Sequence, residues 1–448
     1  MPGIFITGQR LLCKETLLYF WGNIILYFLY IGVLLFACKV FNSMIFGQTG
    51  SSELLISWTL CVIAVNTFAY FQLSLQAMKL LPTKGFLIIA ASQIIFAVPA
   101  TLFANKLYYI LNPAHKAIII YSDKAKADEY VERINQYQKK FEIIDVLSQD
   151  KTQTELLSQI DRADSVFFLD VEEQKREFLY DCCFQNNKRI YILPTFSGVL
   201  LHTSDIAWIS RSPVFVPRIP QLNTETRVIK RTIDIIISTV GIILTSPLML
   251  LTAIAIRLYD RQPAVYKQTR VTRNEKQFTL YKFRSMKSDA EKDGVARLMS
   301  QNDERVTPIG KIIRRLRIDE LPQLFNVIKG EMSLVGPRPE RPEIIEQYKQ
   351  KYPNFTYRLK VKAGLTGFAQ VFGNYNTSPD EKLILDMLYI EQFSIWQDIK
   401  LIMQTVKVMF LPTSTEGVKG KTALSETSET SDSPDFHNEK PKKTKQLV

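Results

Sequence analysis

The chain has 448 residues, enough for two or three domains, and a formal net charge of +12 with a pI near 9.2. That charge favours an anionic partner. The uncharged apolar runs point to a membrane surface, and no nucleic-acid-binding signature is present. The five cysteines do not have the spacing of a disulfide framework, so we expect reduced thiols.

Residues 1–112 contain three uncharged apolar runs near the length that crosses a bilayer: Leu17–Cys38, Leu55–Leu75 and Phe86–Ala104. The basic residues near the ends of these runs indicate conflicting orientations in the membrane. Lys79 and Lys84 favour a cytosolic loop between the second and third runs, whereas Lys106 and Lys116 favour a cytosolic end for the third. The sequence therefore predicts transmembrane helices without fixing their number or orientation.

Residues 113–205 alternate between strand-like and helix-like segments, which is typical of a parallel α/β domain. Four strands are predicted: Ala117–Tyr121, Phe141–Leu147, Ser165–Asp170 and Arg189–Leu193. The turn after the first strand lacks the G-x-G-x-x-G needed for close approach to a pyrophosphate. We predict a degenerate Rossmann-like domain with a regulatory or structural role.

Residues 206–227 hold several prolines and are predicted to be a linker. An uncharged run from Ile235 to Ile256 follows, with Ser246 and Pro247 near its middle. Proline removes a backbone donor, so the helix should kink or break there. Basic residues flank both ends, and both a re-entrant helix and a kinked transmembrane helix fit this pattern. We predict the re-entrant form.

Residues 228–412 form the predicted catalytic domain, and the polar tail 413–448 is predicted to be disordered. Two strand-like segments carry cations that suit phosphate binding: Lys267, Arg270, Lys282 and Arg284. The alternative is contact with lipid headgroups. A basic segment with Ile312, Ile313 and Leu316 on one face is predicted to lie on the membrane interface.

Two adjacent carboxylates, Asp319 and Glu320, follow a run of cations that ends at Arg317 and precede Pro322. At a helix start beside arginines, we expect both carboxylates to be ionised. An ionised carboxylate can act as a nucleophile or hold Mg²⁺, although an N-cap among surface charges is the simpler interpretation of the pair alone.

Two further motifs follow the carboxylate pair. Prolines on both sides of Arg338 restrict the backbone and hold its guanidinium in place. The segment from Lys362 to Gln370 contains two glycines and is predicted to approach a ligand closely.

Taken in order, these motifs resemble the bacterial sugar transferase family, the monotopic polyprenyl-phosphate phosphoglycosyl transferases, from about Lys230 to Phe410. The matching pieces are Lys230–Asp234, Ser246–Pro247, Lys282–Met286, Arg305–Thr307, Asp319–Leu324, Ser333–Pro339 and Gly364–Gly367. The N-terminal helices and Rossmann-like domain resemble the large-form members. The predicted fold is therefore a membrane α/β protein whose C-terminal mixed α/β domain carries a re-entrant helix and amphipathic interfacial helices.

The resemblance implies transfer of a sugar 1-phosphate from a UDP-sugar to undecaprenyl phosphate, with release of UMP. That step would initiate capsule, exopolysaccharide or O-antigen synthesis at the cytosolic face of the bacterial inner membrane. It implies that Asp319 is the covalent nucleophile, Glu320 the Mg²⁺ ligand and Arg338 a phosphate-binding residue. The further expected substrate-binding residues are Lys267, Arg270, Lys282, Arg284, Arg317 and Gln370.

Two other functions each require a sequence feature that this chain lacks. A membrane scaffold or sensor would be expected to have a disrupted carboxylate pair, and this pair is intact. A sugar-nucleotide epimerase or dehydratase needs a glycine-rich turn that the middle domain lacks. The sequence does not identify the UDP-sugar, and it leaves a homo-oligomer open. Because all the catalytic motifs lie between about Lys230 and Phe410, that region is predicted to be active without residues 1–205.

Overall fold

The computed structural model describes residues 20–47, 49–137, 140–217, 223–287, 303, 305–373 and 377–411. The predicted disordered tail lies outside the described residues. Within them, three helices are long and apolar enough to cross a membrane: Ser51–Gln76, Thr83–Leu111 and Thr224–Asp260. The first two belong to the N-terminal region and the third belongs to the C-terminal half.

The N-terminal region contains helices α1 (Phe20–Val40), α2 (Ser51–Gln76) and α3 (Thr83–Leu111). Short turns join them, so neighbouring helices run antiparallel. Gln93 on α3 accepts a hydrogen bond from Asn66 on α2 at 2.6 Å and donates one to the Tyr30 hydroxyl on α1 at 2.9 Å. Such interhelical amide contacts hold helices together where apolar surface gives little preference for one neighbour.

The middle domain is a four-stranded parallel sheet with the strand order β2-β1-β3-β4, which confirms the predicted parallel α/β architecture. The strands are β1 (His115–Tyr121), β2 (Phe141–Ser148), β3 (Ser165–Leu169) and β4 (Arg189–Ile192). The helices are α4 (Lys124–Tyr137), α5 (Gln153–Arg162) and α6 (Glu173–Gln185). Alternate residues of β1 pack on opposite faces, with Ile118 and Ile120 in one apolar cluster and Ile119 in the other.

The carboxyl ends of β1 and β3 form the crevice where doubly wound sheets bind nucleotides. Here Asp123 accepts a hydrogen bond from the Ala125 amide, and Lys126 pairs with Asp170 at 2.6 Å. Two carboxylates thus stand where a nucleotide-binding domain presents free amides. This arrangement agrees with the missing glycine motif.

The segment after β4 packs on the C-terminal domain. Helix α7 (Phe196–His202) lies in the range assigned from sequence to the middle domain, yet Val199 is buried in the core of the C-terminal domain. The predicted linker that follows contains an antiparallel hairpin of β5 (Asp205–Ile209) and β6 (Ser212–Val216). Its prolines did not prevent strand pairing, because Pro213 lies in a two-stranded hairpin, where every strand is an edge.

Helix α8 (Thr224–Asp260) is continuous for 37 residues and contains Pro247. The helix is therefore not interrupted at Ser246 and Pro247, and of the predicted kink or break only a kink is compatible with it. Pro247 cannot donate to the Ile243 carbonyl, and the Ser246 hydroxyl donates to that carbonyl instead at 2.9 Å. The helix continues because the side chain replaces the missing backbone donor.

The C-terminal domain begins with the antiparallel hairpin of β7 (Val265–Val271) and β8 (Gln277–Phe283). The strands β9 (Ser333–Val335) and β10 (Gly364–Thr366) form a second, parallel pair. The remaining helices are α9 (Pro308–Arg315), α10 (Gln323–Lys329), α11 (Pro342–Lys351), α12 (Phe368–Val371), α13 (Pro379–Glu391) and α14 (Ile395–Met409). One apolar cluster, which includes Phe355 and Met387, fills the space between these elements.

The predicted interfacial segment is α9, and its apolar residues divide between two faces. Ile313 is buried against Ile256, Phe283 and Ile318, whereas Ile312 and Leu316 are exposed. Ile312 and Leu316 are four residues apart and therefore share one side of the helix. Only these two of the three predicted residues are available to contact a membrane.

Helix α14 ties the C-terminal domain to one end of the N-terminal helices. Lys407 pairs with Glu53 at the start of α2, and Gln404 donates to the Val40 carbonyl at the end of α1. The turn between α2 and α3, with Lys79, lies at the opposite end. The cations of that turn and the C-terminal domain are therefore at opposite ends of the bundle, so a bilayer across the bundle would place them on opposite sides.

Candidate active site

The carboxylate pair lies in a short 3₁₀ turn, Ile318–Glu320, rather than in the first turn of a helix. Arg317 precedes the turn with a left-handed backbone, φ 53°, and reverses the chain after α9. Pro322, with φ −62°, then leads into α10. The two carboxylates are thus held in a tight turn between two helices.

Glu320 receives the cations of the site. Its Oε1 atom lies 2.9 Å from an Arg338 guanidinium nitrogen and 3.2 Å from Lys282 Nζ, and its Oε2 atom lies 3.9 Å from Arg317. Burial alone would raise the pKa of Glu320, but Arg338 and Lys282 outweigh it and hold that pKa well below its ordinary value. Glu320 is therefore ionised, as predicted.

Asp319 differs from its neighbour. Within the described part of the chain, no cation lies within ion-pair distance of its carboxylate. Burial, reinforced by the adjacent Glu320 charge, raises the pKa of Asp319 to about 6. The direction is opposite to the sequence-based expectation, because the cations expected to serve both carboxylates contact Glu320.

The backbone around Arg338 is held by two other arginines. Arg358 donates to the Arg338 carbonyl at 2.9 Å, and Arg270 donates to the Pro339 carbonyl at 3.1 Å. The flanking prolines restrict this segment, and these two contacts fix its position. The guanidinium of Arg338 is consequently directed at Glu320.

The other predicted phosphate-binding cations occupy different places. Lys282 and Arg317 contact Glu320. The Arg270 guanidinium instead donates hydrogen bonds to the Pro339 carbonyl and to the Gln268 side chain. Lys267 is exposed and faces Tyr281 across the hairpin, so it lies on the side opposite Lys282. Arg284 donates to the Pro263 carbonyl at 3.1 Å. The described contacts thus bring three of the predicted cations to the carboxylate pair: Lys282, Arg317 and Arg338.

The predicted glycine loop serves backbone packing. A Cβ atom on Gly364 would lie 2.1 Å from the Gly336 amide nitrogen, and one on Gly367 would lie 2.3 Å from the Gly336 carbonyl oxygen. These glycines let β9 and β10 approach each other. Gln370, on the short helix that follows, has both polar atoms of its amide buried without a protein partner among the described residues. An unpaired buried amide is costly unless a ligand or water satisfies it, which agrees with its predicted binding role.

Several supporting roles were not predicted from the sequence. Asp234 on α8 accepts hydrogen bonds from the Ser333 hydroxyl and the Leu334 amide, and so positions β9 just before the Arg338 segment. Arg358 is 2 % exposed and pairs with the buried Asp386 at 2.8 Å. Spacing could have placed Lys230 and Asp234 on one face of α8, but no pattern marks Arg358.

The donor set limits how Mg²⁺ could bind. Among the described residues there is no group of three or more acidic, histidine or cysteine side chains that could hold a metal. Mg²⁺ is commonly held by one or two carboxylates together with substrate phosphates. Glu320 fits this role, with Asp319 adjacent, and Arg317 lies 3.9 Å from its Oε2 atom.

The C-terminal half matches the family described as bacterial sugar transferase over residues 225–412, a range that contains the carboxylate pair and Arg338. A Bacillus subtilis protein named as a candidate undecaprenyl-phosphate N-acetylgalactosaminyl 1-phosphate transferase is 52% identical over 131 residues, 29% of this chain and 73% of that protein. The chain belongs to the bacterial sugar transferase family.

Two longer relatives each align over less than half of their length. An Aeromonas hydrophila UDP-N-acetylgalactosamine-undecaprenyl-phosphate N-acetylgalactosaminephosphotransferase is 40% identical over 212 residues, 47% of each chain. An Escherichia coli UDP-glucose:undecaprenyl-phosphate glucose-1-phosphate transferase is 39% identical over 200 residues, 43% of each chain. The chain therefore spans about half the length of these two relatives.

Proposed function

We propose that this protein transfers a sugar 1-phosphate from a UDP-sugar to undecaprenyl phosphate and releases UMP. The observation that carries the proposal is the division of contacts in the carboxylate pair. Arg338 and Lys282 engage Glu320, and Asp319 is left without an ion pair among the described residues. A carboxylate with no bound cation is the better nucleophile of the two.

The proposed reaction has two steps. In the first, a carboxylate oxygen of Asp319 bonds to the β-phosphorus of the UDP-sugar. The bond from that phosphorus to the bridging oxygen breaks, and UMP leaves with the electron pair. In the second, a phosphate oxygen of undecaprenyl phosphate bonds to the same phosphorus and displaces Asp319. Two successive displacements let a soluble donor and a lipid acceptor use one site in turn.

The surrounding residues stabilise charge in both steps. We expect Arg338 and Lys282, which are held by Glu320, to contact the phosphate oxygens as well. Mg²⁺, when bound at Glu320, would neutralise the charge on the departing UMP. The proposed setting is a bacterial inner membrane with the site on the cytosolic face, since the apolar helices suit a bilayer and a nucleotide sugar is a cytosolic substrate.

The test is UMP release from UDP-glucose, UDP-galactose and UDP-N-acetylgalactosamine, each with and without undecaprenyl phosphate. We expect about one equivalent of UMP per enzyme without the acceptor and continuous release with it, for at least one donor. Release of UDP would indicate glycosyl transfer, and no release of UMP from any donor with acceptor present would refute the proposal for these sugars.

A further inference from the structure

A second concave site lies away from the carboxylate pair. It is a cleft of about 800 Å³ between the first turns of α8, the turn joining β7 to β8, the loop before β10 and the end of α13. Neither Asp319 nor Glu320 lines it. Six cations of the described residues do: Arg227, Lys230, Arg231, Arg273, Lys360 and Lys362.

Only part of this positive charge is neutralised by protein. Lys230 pairs with Asp398, and Arg231 donates to the Val327 and Ile328 carbonyls at 2.6 Å each. The two carboxylates among the described lining residues are Asp234, which holds β9, and Glu391, which lies 3.3 Å from the Thr203 hydroxyl.

Arg273 and Lys362 form no ion pair with any carboxylate in the described part of the chain. Burial, followed by repulsion from Arg231 and Arg273, lowers the pKa of Lys362. The fold thus holds like charges close together, and a bound anion would relieve the electrostatic repulsion between them.

The position of the cleft adds a second argument. The uncharged run of α8 begins at Ile235, one turn after Arg231, so the cleft lies at the level where the apolar stretch of this helix begins. Cations at that level meet the phosphates of a membrane surface. Clustered guanidinium and ammonium groups in a concave site suit a phosphate oxygen set.

We propose that this cleft binds a phosphate group, supplied either by the headgroup of an anionic phospholipid or by free phosphate in solution. Arg273 and Lys362 are the residues that would contact it. Lys360, which lies over the Tyr357 ring at 4.7 Å, adds charge at the rim.

The experiment is calorimetric titration of the full chain in nonionic detergent at low salt. Three probes are added separately: dihexanoyl phosphatidylglycerol, dihexanoyl phosphatidylcholine and inorganic phosphate. We expect saturable binding of phosphatidylglycerol, of phosphate or of both, and none of phosphatidylcholine. Binding of phosphatidylglycerol alone identifies a lipid headgroup as the source, whereas comparable binding of phosphate, in competition with the lipid, identifies a free anion.

The double variant Arg273→Gln with Lys362→Gln should weaken binding at least about tenfold, since it removes two charge-assisted contacts. The matched control is Lys276→Gln, which removes an exposed cation from the same turn as Arg273 without touching the cleft. If the double variant does not fold, Lys362→Gln alone carries the test, because no hydrogen bond of the Lys362 side chain is seen in the described structure. Unchanged binding in the folded variant, equal binding of phosphatidylcholine, or no saturable binding at all would overturn the proposal.

Discussion

The residue types of the carboxylate pair were readable from the sequence, but the difference between the two residues was not. Adjacent positions share the same local charge in a sequence, so both were expected to be ionised. The turn at Ile318–Glu320 brings Glu320 to Arg338 and Lys282, whereas Asp319 has no ion pair with any described residue. Which carboxylate receives the cations depends on backbone direction, which the sequence pattern does not contain.

At this scale we predict that Glu320→Gln weakens the dependence on Mg²⁺. A neutral amide is a poorer ligand for a hard cation and leaves Arg338 and Lys282 without their carboxylate. Turnover should fall roughly 10²-fold or more, as for loss of a charge-stabilising group, and half-maximal activity should need more Mg²⁺. UMP release measured across a Mg²⁺ titration checks this, with Glu343→Gln, an exposed site, as the control. The same half-saturating Mg²⁺ concentration in both variants would contradict the assignment.

A second prediction concerns the buried pair of Arg358 and Asp386. Burial opposes ionisation of Asp386 more than Arg358 favours it, so the pKa of Asp386 is raised to about 6. A carboxyl whose pKa is raised on folding contributes stability that is complete below its ordinary pKa and is lost as the pH rises through about 6.

The Asp386→Asn variant carries an amide that does not titrate, so it does not lose stability in this way as the pH rises. The free energy of unfolding of Asp386→Asn, measured relative to that of the wild type, should therefore rise by about 1–2 kcal/mol between pH 5 and pH 7.5. Denaturant unfolding of both proteins at the two pH values measures the difference, with the exposed Asp128→Asn as the control. A difference that does not change with pH would show that Asp386 does not titrate in this range.

At the scale of elements, the strands and helices of the middle domain were predicted closely because their apolar runs have distinct periods. The continuity of helix α8 was harder to predict, because the general effect of proline on a helix does not include the hydrogen bond that the Ser246 hydroxyl donates to the Ile243 carbonyl. Both ends of α8 contact the C-terminal domain: Arg231 donates to α10, and Ile256 packs beside Phe283. Between them, Leu244 and Leu251 are exposed. These contacts support our proposal that α8 enters and leaves the membrane on one side.

The corresponding prediction uses single cysteines at the exposed positions Glu225 and Tyr259, near the two ends of α8. An impermeant maleimide should label both from the same side of the membrane, with the unsubstituted chain as the blank. Pro247→Ala restores a backbone donor and favours a straight helix, so it should move part of the Tyr259-position label to the opposite side. Labelling of the two positions from opposite sides in the unaltered helix would refute re-entrance.

At the scale of the whole molecule, the domain limits drawn from sequence missed contacts between distant segments. Lys407 is 3 % exposed and pairs with Glu53, and Phe36 packs on Trp396 with ring centroids 5.2 Å apart. Arg133 of the middle domain pairs with Glu381 on α13 at 3.0 Å. Such pairings join residues more than two hundred positions apart, and no local pattern reveals them.

The burial of Val199 in the C-terminal domain changes the prediction that the C-terminal half is active without residues 1–205. Val199 is 2 % exposed and lies in the core of the C-terminal domain. A chain beginning at residue 206 lacks this side chain and therefore has a cavity in that core. A chain beginning at residue 195 should be more stable by about 1.5–3 kcal/mol, from burial of that side chain. Thermal unfolding of the two chains measures this, and Val199→Ala in the longer chain is the matched control. Equal unfolding temperatures would show that α7 is dispensable.

The most direct test of the central claim is mass spectrometry of the protein quenched with its UDP-sugar and no lipid acceptor. Because Asp319 is proposed to attack the β-phosphorus, one phosphosugar should be found on the intact chain, and peptide mapping should place it on Asp319. The Asp319→Asn variant should carry none, and its turnover should fall by several orders of magnitude. An adduct on any other residue, or kinetics that require both substrates to be bound at once, would contradict the account.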